Sequence, residues 1–105
     1  MVERHANSMN VQLQDRAEVA LRSLDPPERE KIRAALRELE KTDLGKAERT
    51  RKLRALKLAS QAKLYSFNAG GILRLILSYR PSQWVVEDIM LRDGLARFLL
   101  PNGRR

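Results

Sequence analysis

Two arginines in this chain sit where most small domains place only apolar residues. Arg74 lies inside the apolar stretch LYSFNAGGILRLILSYR (64–80), and Arg92 follows the apolar run WVVEDIML (84–91). Upstream, KAERTRKLRALK (46–57) carries Lys46, Arg49, Arg51, Lys52, Arg54 and Lys57 against one acid, Glu48. Arginine offers a planar fork of donors and lysine a point charge, and both suit phosphate oxygens. Such a cluster supports either plain binding or the cutting of RNA, which carries its own nucleophile. The 2′-hydroxyl attacks the adjacent phosphorus once its proton is removed and the phosphorane charge is offset. A lysine whose charged form is disfavoured by neighbouring cations can take the proton. Arginines can offset the developing charge. No metal or other cofactor is expected, because Asp43, Glu87, Asp88 and Asp93 do not fall at a ligand spacing. Each residue also has a plainer reading. Arg74 and Arg80 fit solvated strand positions, Arg92 can pair with Asp88 or Asp93, and the run 46–57 fits an ordinary charged helix face.

Composition narrows the chemistry further. The chain has 105 residues, a net charge of +8 and no cysteine. That length suits one domain with a modest core. The charge points to a polyanionic partner, because it is clustered rather than spread. Without cysteine there is no disulfide, thiolate zinc site or Cys nucleophile, which fits a reducing, cytoplasmic setting. His5 is the sole histidine, so a paired-histidine nuclease is excluded. No apolar run is long enough to span a membrane, and none is expected as a partner. Residues 1–9 read as a polar, disordered lead-in, 10–100 as the domain and 101–105 as a polar tail.

The elements that must position these residues follow from periodicity. NVQLQ (10–14) alternates and predicts a short strand. In DRAEVALRSL (15–24), Ala17, Ala20, Leu21 and Leu24 form one helical stripe, with Asp15 as the expected N-cap. DPPERE (25–30) is a helix start, with Asp25 capping, Pro26 in the first turn and Glu28 three residues after the cap. That helix is expected to run to Lys41, burying Ile32, Ala35, Leu36 and Leu39, with Gly45 as a stop. Segment 46–57 reads as a helical turn and loop anchored by Leu53 and Leu56. From Lys63 the period becomes two. KLYSFNA (63–69) turns Tyr65 and Phe67 to one face and Ser66 and Asn68 to the other. Gly70–Gly71 makes a hairpin turn. ILRLILSYR (72–80) separates Leu73, Leu75, Leu77 and Tyr79 from Ile72, Arg74, Ile76, Ser78 and Arg80. PSQ turns into a third meander strand, and RDGLARFLL (92–100) closes with a helical turn. Trp84 reads as a core or strand-edge filler. The order predicts an α+β fold: a small, mostly antiparallel sheet packed on an N-terminal pair of helices. If the helices cover the leucine face, Arg74 points to the opposite, open face.

This succession resembles the RelE/ParE superfamily of toxins from bacterial type II toxin–antitoxin pairs over roughly Asn10 to Leu99. The matching pieces are the LDPPEREKIRAALREL helix, KLRAL, LYSFNAGGILRLILSYR and the IMLRDGLARFL ending. The resemblance implies a RelE-like fold and a small toxin neutralised by a cognate antitoxin in a hetero-oligomer. RelE-type members cleave mRNA in the ribosomal A site, whereas ParE-type members inhibit DNA gyrase. In the nucleases, a basic residue on the middle strand matches Arg74, and one after the next strand matches Arg92. Lysines near the start of the sheet supply the general base, for which Lys57 and Lys63 are the nearest matches. Arg49, Arg51, Lys52, Arg54, Arg80 and Arg97 are the accompanying candidates for holding RNA phosphates. The chain departs from the nuclease pattern at Ala96, where many members carry tyrosine, at Leu91, and at Asn68, where a basic residue often stands. The expectation is a ribosome-dependent, metal-independent mRNA endonuclease that inhibits translation. The alternatives are a ParE-like gyrase inhibitor and a degenerate relative that only binds its antitoxin.

Overall fold

A computed structural model describes residues 9–47, 49–56 and 63–94. Strand β1 (Asn10–Leu13) leads into helix α1 (Asp15–Arg22), then α2 (Pro26–Glu40) and a single helical turn, α3 (Leu44–Ala47). Four strands follow: β2 (Leu53–Leu56), β3 (Leu64–Gly70), β4 (Leu73–Arg80) and β5 (Gln83–Leu91). They form one sheet in the order β1-β5-β4-β3-β2. The β2–β3, β3–β4 and β4–β5 pairs are antiparallel, and β1 runs parallel to β5. The expected α+β architecture is therefore present, with helices between the parallel edge strand and the antiparallel remainder.

Packing follows the two periodicities. Ala17 of α1 and Ile32, Ala35 and Leu39 of α2 are buried against Phe67, Leu73, Leu75, Leu77, Trp84, Val86 and Ile89. The remaining residues of the helical stripes, Ala20, Leu21, Leu24 and Leu36, pack around this cluster. Burying this apolar surface is the main force holding helices to sheet. Trp84 lies at its centre, fully buried. Tyr65 and Tyr79 meet its ring edge-on, at 6.4 and 5.1 Å between centroids. Its indole N–H donates to the Thr42 carbonyl at 2.8 Å, which ties β5 to the chain leaving α2. Without that acceptor the buried donor would be costly.

Several local expectations need correction. Gln14, not Asp15, holds the N-cap position of α1, and Asp15 is its first helical residue. Asp25 does occupy the N-cap position of α2, but its side chain makes no capping hydrogen bond. Helix α2 ends at Glu40 with Lys41 as C-cap, as expected, but Gly45 lies within α3 rather than acting as a stop. Segment 46–57 is not merely a loop: Leu53–Leu56 pairs with Leu64–Phe67 as an edge strand. Four residues are too few for their alternation to stand out, so pairing with β3 decides the conformation. Met9 already belongs to the core, and its N–H donates to the Glu40 carbonyl at 2.7 Å. Residues 92–94 turn helical after β5, as expected. The rest of that closing turn lies outside the described residues, as do most of the expected lead-in and the polar tail.

Two irregularities shape the sheet. Between Ile76 and Leu77 the β4–β5 register shifts: Ile76 faces Asp88 while Leu77 faces Val86, so Glu87 is an extra residue. Such a bulge bends the strand and increases its twist. The β3–β4 hairpin shifts between Asn68 and Gly70. There Gly70 takes φ +124° and Gly71 φ +56°, values that side-chain-bearing residues rarely adopt. The face opposite the helices is only partly open, because Ser66, Ile76 and Val85 on it are buried.

Candidate anion-binding site

Arg74 points away from the helices, as the alternation requires. Its neighbours across the sheet are Asn68 on β3 and Met90 on β5. One row along, Arg54 faces Ser66 and Ser66 faces Ile76. Strand pairing thus brings β2 and β4 cations, distant in sequence, onto one face of the sheet across β3. They line a cleft of ≈ 480 Å³ together with Arg51, Lys52, Ala55, Leu56, Ser66, Asn68 and Arg92. No carboxylate lines it among the described residues.

Within this cleft the cations are not equivalent. Arg74 Nη1 donates to Asn68 Oδ1 at 3.2 Å, the Gly71 carbonyl at 2.8 Å and the Leu73 carbonyl at 3.0 Å. Its other edge, Nε and Nη2, makes no hydrogen bond to a described residue. Arg92 is set by its backbone, whose N–H donates to the Ile72 carbonyl at 2.7 Å. Lys52 Nζ reaches round the sheet edge to Glu38 of α2, at 2.9 and 3.2 Å from its two carboxylate oxygens. It also stands 6.0 Å from the centre of the Phe67 ring. Its charge is therefore engaged by a carboxylate, and the four arginines carry most of the cleft's attraction for an anion.

The structure brings together five of the residues picked out by sequence: Arg51, Lys52, Arg54, Arg74 and Arg92. It separates others. Arg80 shares the face of Arg74 but lies six residues further along β4, roughly 20 Å of strand away, and pairs with Gln83. Arg49 is exposed in the turn after α3 and does not line the cleft. Lys63 is exposed before β3, at the Leu56–Leu64 end of the sheet, and is likewise not part of the lining. Lys57 and Arg97 lie outside the described residues. Among the described residues neither Asp88 nor Asp93 pairs with Arg92; Asp88 instead faces Arg16 at 4.0 Å.

Ser66 and Asn68 belong to the site but carry no charge, so a search for cations passes over them. Alternation had already put both on the face of Arg74, and that was the available signal. Chemically, the described lining is a set of donors for anionic oxygens. Arginine retains its proton in proteins, so proton transfer must involve another group.

A parallel edge strand β1, two helices on one face and an antiparallel meander make up a RelE-like fold. Among solved structures, the chain is similar to the archaeal RelE–RelB complex from Pyrococcus horikoshii. The TM-score is 0.63 at 17% identity, covering 81% of this chain and 96% of that one. It is also similar to a copper-bound mutant toxin from Helicobacter pylori, with TM-score 0.50 and 13% identity over 83% of this chain and 98% of that one. No protein-family model matches the sequence, and no curated protein matches it. At these identities the likeness is one of fold.

Proposed function

We propose that this protein is the toxin of a type II toxin–antitoxin pair and acts in the cytoplasm as a ribosome-dependent mRNA endonuclease. The observation that carries this reading is the cleft of Arg51, Arg54, Arg74 and Arg92, lined by no carboxylate among the described residues, on the side of a RelE-like sheet away from the helices. In this mechanism the 2′-oxygen bonds to phosphorus as the P–O5′ bond breaks, leaving a 2′,3′-cyclic phosphate and a 5′-oxygen that takes its proton from water. Arg74 and Arg92 hold the scissile phosphate and offset the phosphorane charge. Lys57 or Lys63 serves as the base for the 2′-hydroxyl proton. A site with so few groups depends on its partner for alignment, so the ribosome must hold the mRNA in line for attack. The antitoxin is an acidic segment that folds over the basic cleft and masks Arg74.

The decisive test is expression in a translating extract followed by primer extension on the mRNA. Codon-positioned cuts that disappear in Arg74→Ala support the reading; intact mRNA with the wild-type protein rejects it. A second reading has its own support, since Ala96 stands where many nuclease members carry tyrosine and Lys52 is held by Glu38. In that reading the toxin is ParE-like and poisons gyrase through a protein contact. Loss of supercoiling by gyrase, with mRNA left whole, would establish it.

A further inference from the structure

We infer that Asn68 is the positioning residue of the cleft: its side chain sets where Arg74 stands, and its backbone ties the entry to β2 to the same point. The inference rests on the cleft being the anion-binding site. Three separate connections converge on this residue. Its backbone N–H donates to the Lys52 carbonyl at 2.8 Å, which fixes the entry to β2 and, with it, Arg51 and Arg54. Its side-chain Oδ1 accepts from the Gly70 N–H at 2.9 Å, closing a turn of the kind asparagine favours. The same Oδ1 accepts from Arg74 Nη1 at 3.2 Å.

The turn so closed is the common support of both site arginines. Gly71 and Leu73 offer their carbonyls to the Arg74 guanidinium, and Ile72 between them offers its own to the Arg92 N–H. Three consecutive carbonyls thus hold two arginines, one on β4 and one just after β5. Gly70 and Gly71 supply the positive φ angles that aim those carbonyls. Asn68 holds the first of these glycines in place. With Nη1 occupied by oxygen acceptors, the guanidinium plane is fixed and its Nε–Nη2 edge is the one presented to a phosphate. That edge matches two oxygens of a phosphate side by side. An uncharged residue here therefore does work that a basic residue could not, because a cation would repel Arg74 rather than orient it.

Two measurements on the full-length protein test this. Side-chain nitrogen NMR reads the rotation of the Arg74 guanidinium directly, without any ligand. Wild type should show restricted Nη exchange, Asn68→Ala should release it, and Asn68→Asp, which keeps the acceptor, should retain it. Binding of a short oligouridylate then reads the consequence. Asn68→Ala should weaken binding about tenfold, the loss of one charge-assisted contact. Arg74→Ala combined with Asn68→Ala should be no weaker than Arg74→Ala alone, since both act through one contact. Unrestricted Arg74 in the wild type, or additive losses in the double variant, would overturn the inference. Asn68→Ala that melts early yet leaves Arg74 restricted would overturn it too, leaving only a turn-stabilising role. Intact mRNA in the extract, alongside the expected coupling between Asn68 and Arg74, would reject the ribonuclease alone and leave the positioning role standing.

Discussion

Arg74 has two tasks, and its substitution must show both. Its guanidinium holds the hairpin through Asn68, Gly71 and Leu73 while its other edge faces the cleft. A solvated strand arginine would be silent in a stability measurement. Here Arg74→Ala should cost about 1 kcal/mol, because partly exposed hydrogen bonds to an ionised group are worth only that much after screening. Urea unfolding checks this as a lower midpoint with unchanged slope. Arg74→Lys should keep part of the anion affinity and lose the hairpin contacts, since an ammonium cannot reach three acceptors while presenting a fork. Stability equal to wild type in Arg74→Ala would show that the three contacts contribute nothing. The choice of asparagine at position 68 is the other residue-scale lesson. A basic residue is expected there by resemblance, and the structure shows a neutral acceptor oriented toward a cation.

At the scale of elements, the sheet works as a plate whose two faces are assigned by β4. Leu73, Leu75 and Leu77 seat the helices, and the intervening Arg74 faces the cleft. Leu75 is fully buried at the middle of this seat. Leu75→Ala should therefore destabilise by about 2–5 kcal/mol, read from chemical denaturation, while leaving the cationic residues of the folded fraction unchanged. Trp84→Phe tests the tie between β5 and the end of α2. It preserves most of the apolar volume but strands the Thr42 carbonyl, so about 1–2 kcal/mol should be lost. A neutral result in thermal melting would mean that water satisfies that carbonyl without penalty. The edge strand β2 has a different function: it brings Arg54 beside Ser66 and so converts a basic run into one wall of a cleft.

Across the whole molecule, charge and topology act together. A net charge of +8 attracts any polyanion, but the cleft concentrates four arginines from the β2 edge, β4 and the end of β5 on one face of the sheet. Binding of single-stranded RNA should thus be strongly salt-dependent. With four phosphate contacts, log K should fall against log salt with a slope of roughly −3. Filter binding across a salt series measures it, and a slope near zero would show that the cleft does not neutralise phosphates. Exposed Ile72 and Leu91 lie beside one another at the turn end of the sheet and line a separate cleft with Leu24, Glu28 and Lys31 on the helix side.

Much of this was legible in the chain itself, and the reason is period. Alternation over 64–80 assigned Leu73, Leu75 and Leu77 to one face and Arg74 to the other, because successive strand residues point in opposite directions whatever surrounds them. The helical stripes of 15–24 and 25–41 were legible for the same reason. Long-range pairing was not. That Leu53–Leu56 forms a strand, that β1 runs parallel beside β5, and that Arg54 joins Arg74 while Arg80 stays remote all depend on which backbone finds which partner. The tie of Lys52 to Glu38 and of Arg74 to Asn68 belongs to the same class. Period is a property of each segment alone; a cleft is a relation between segments, and only their packing could bring it about.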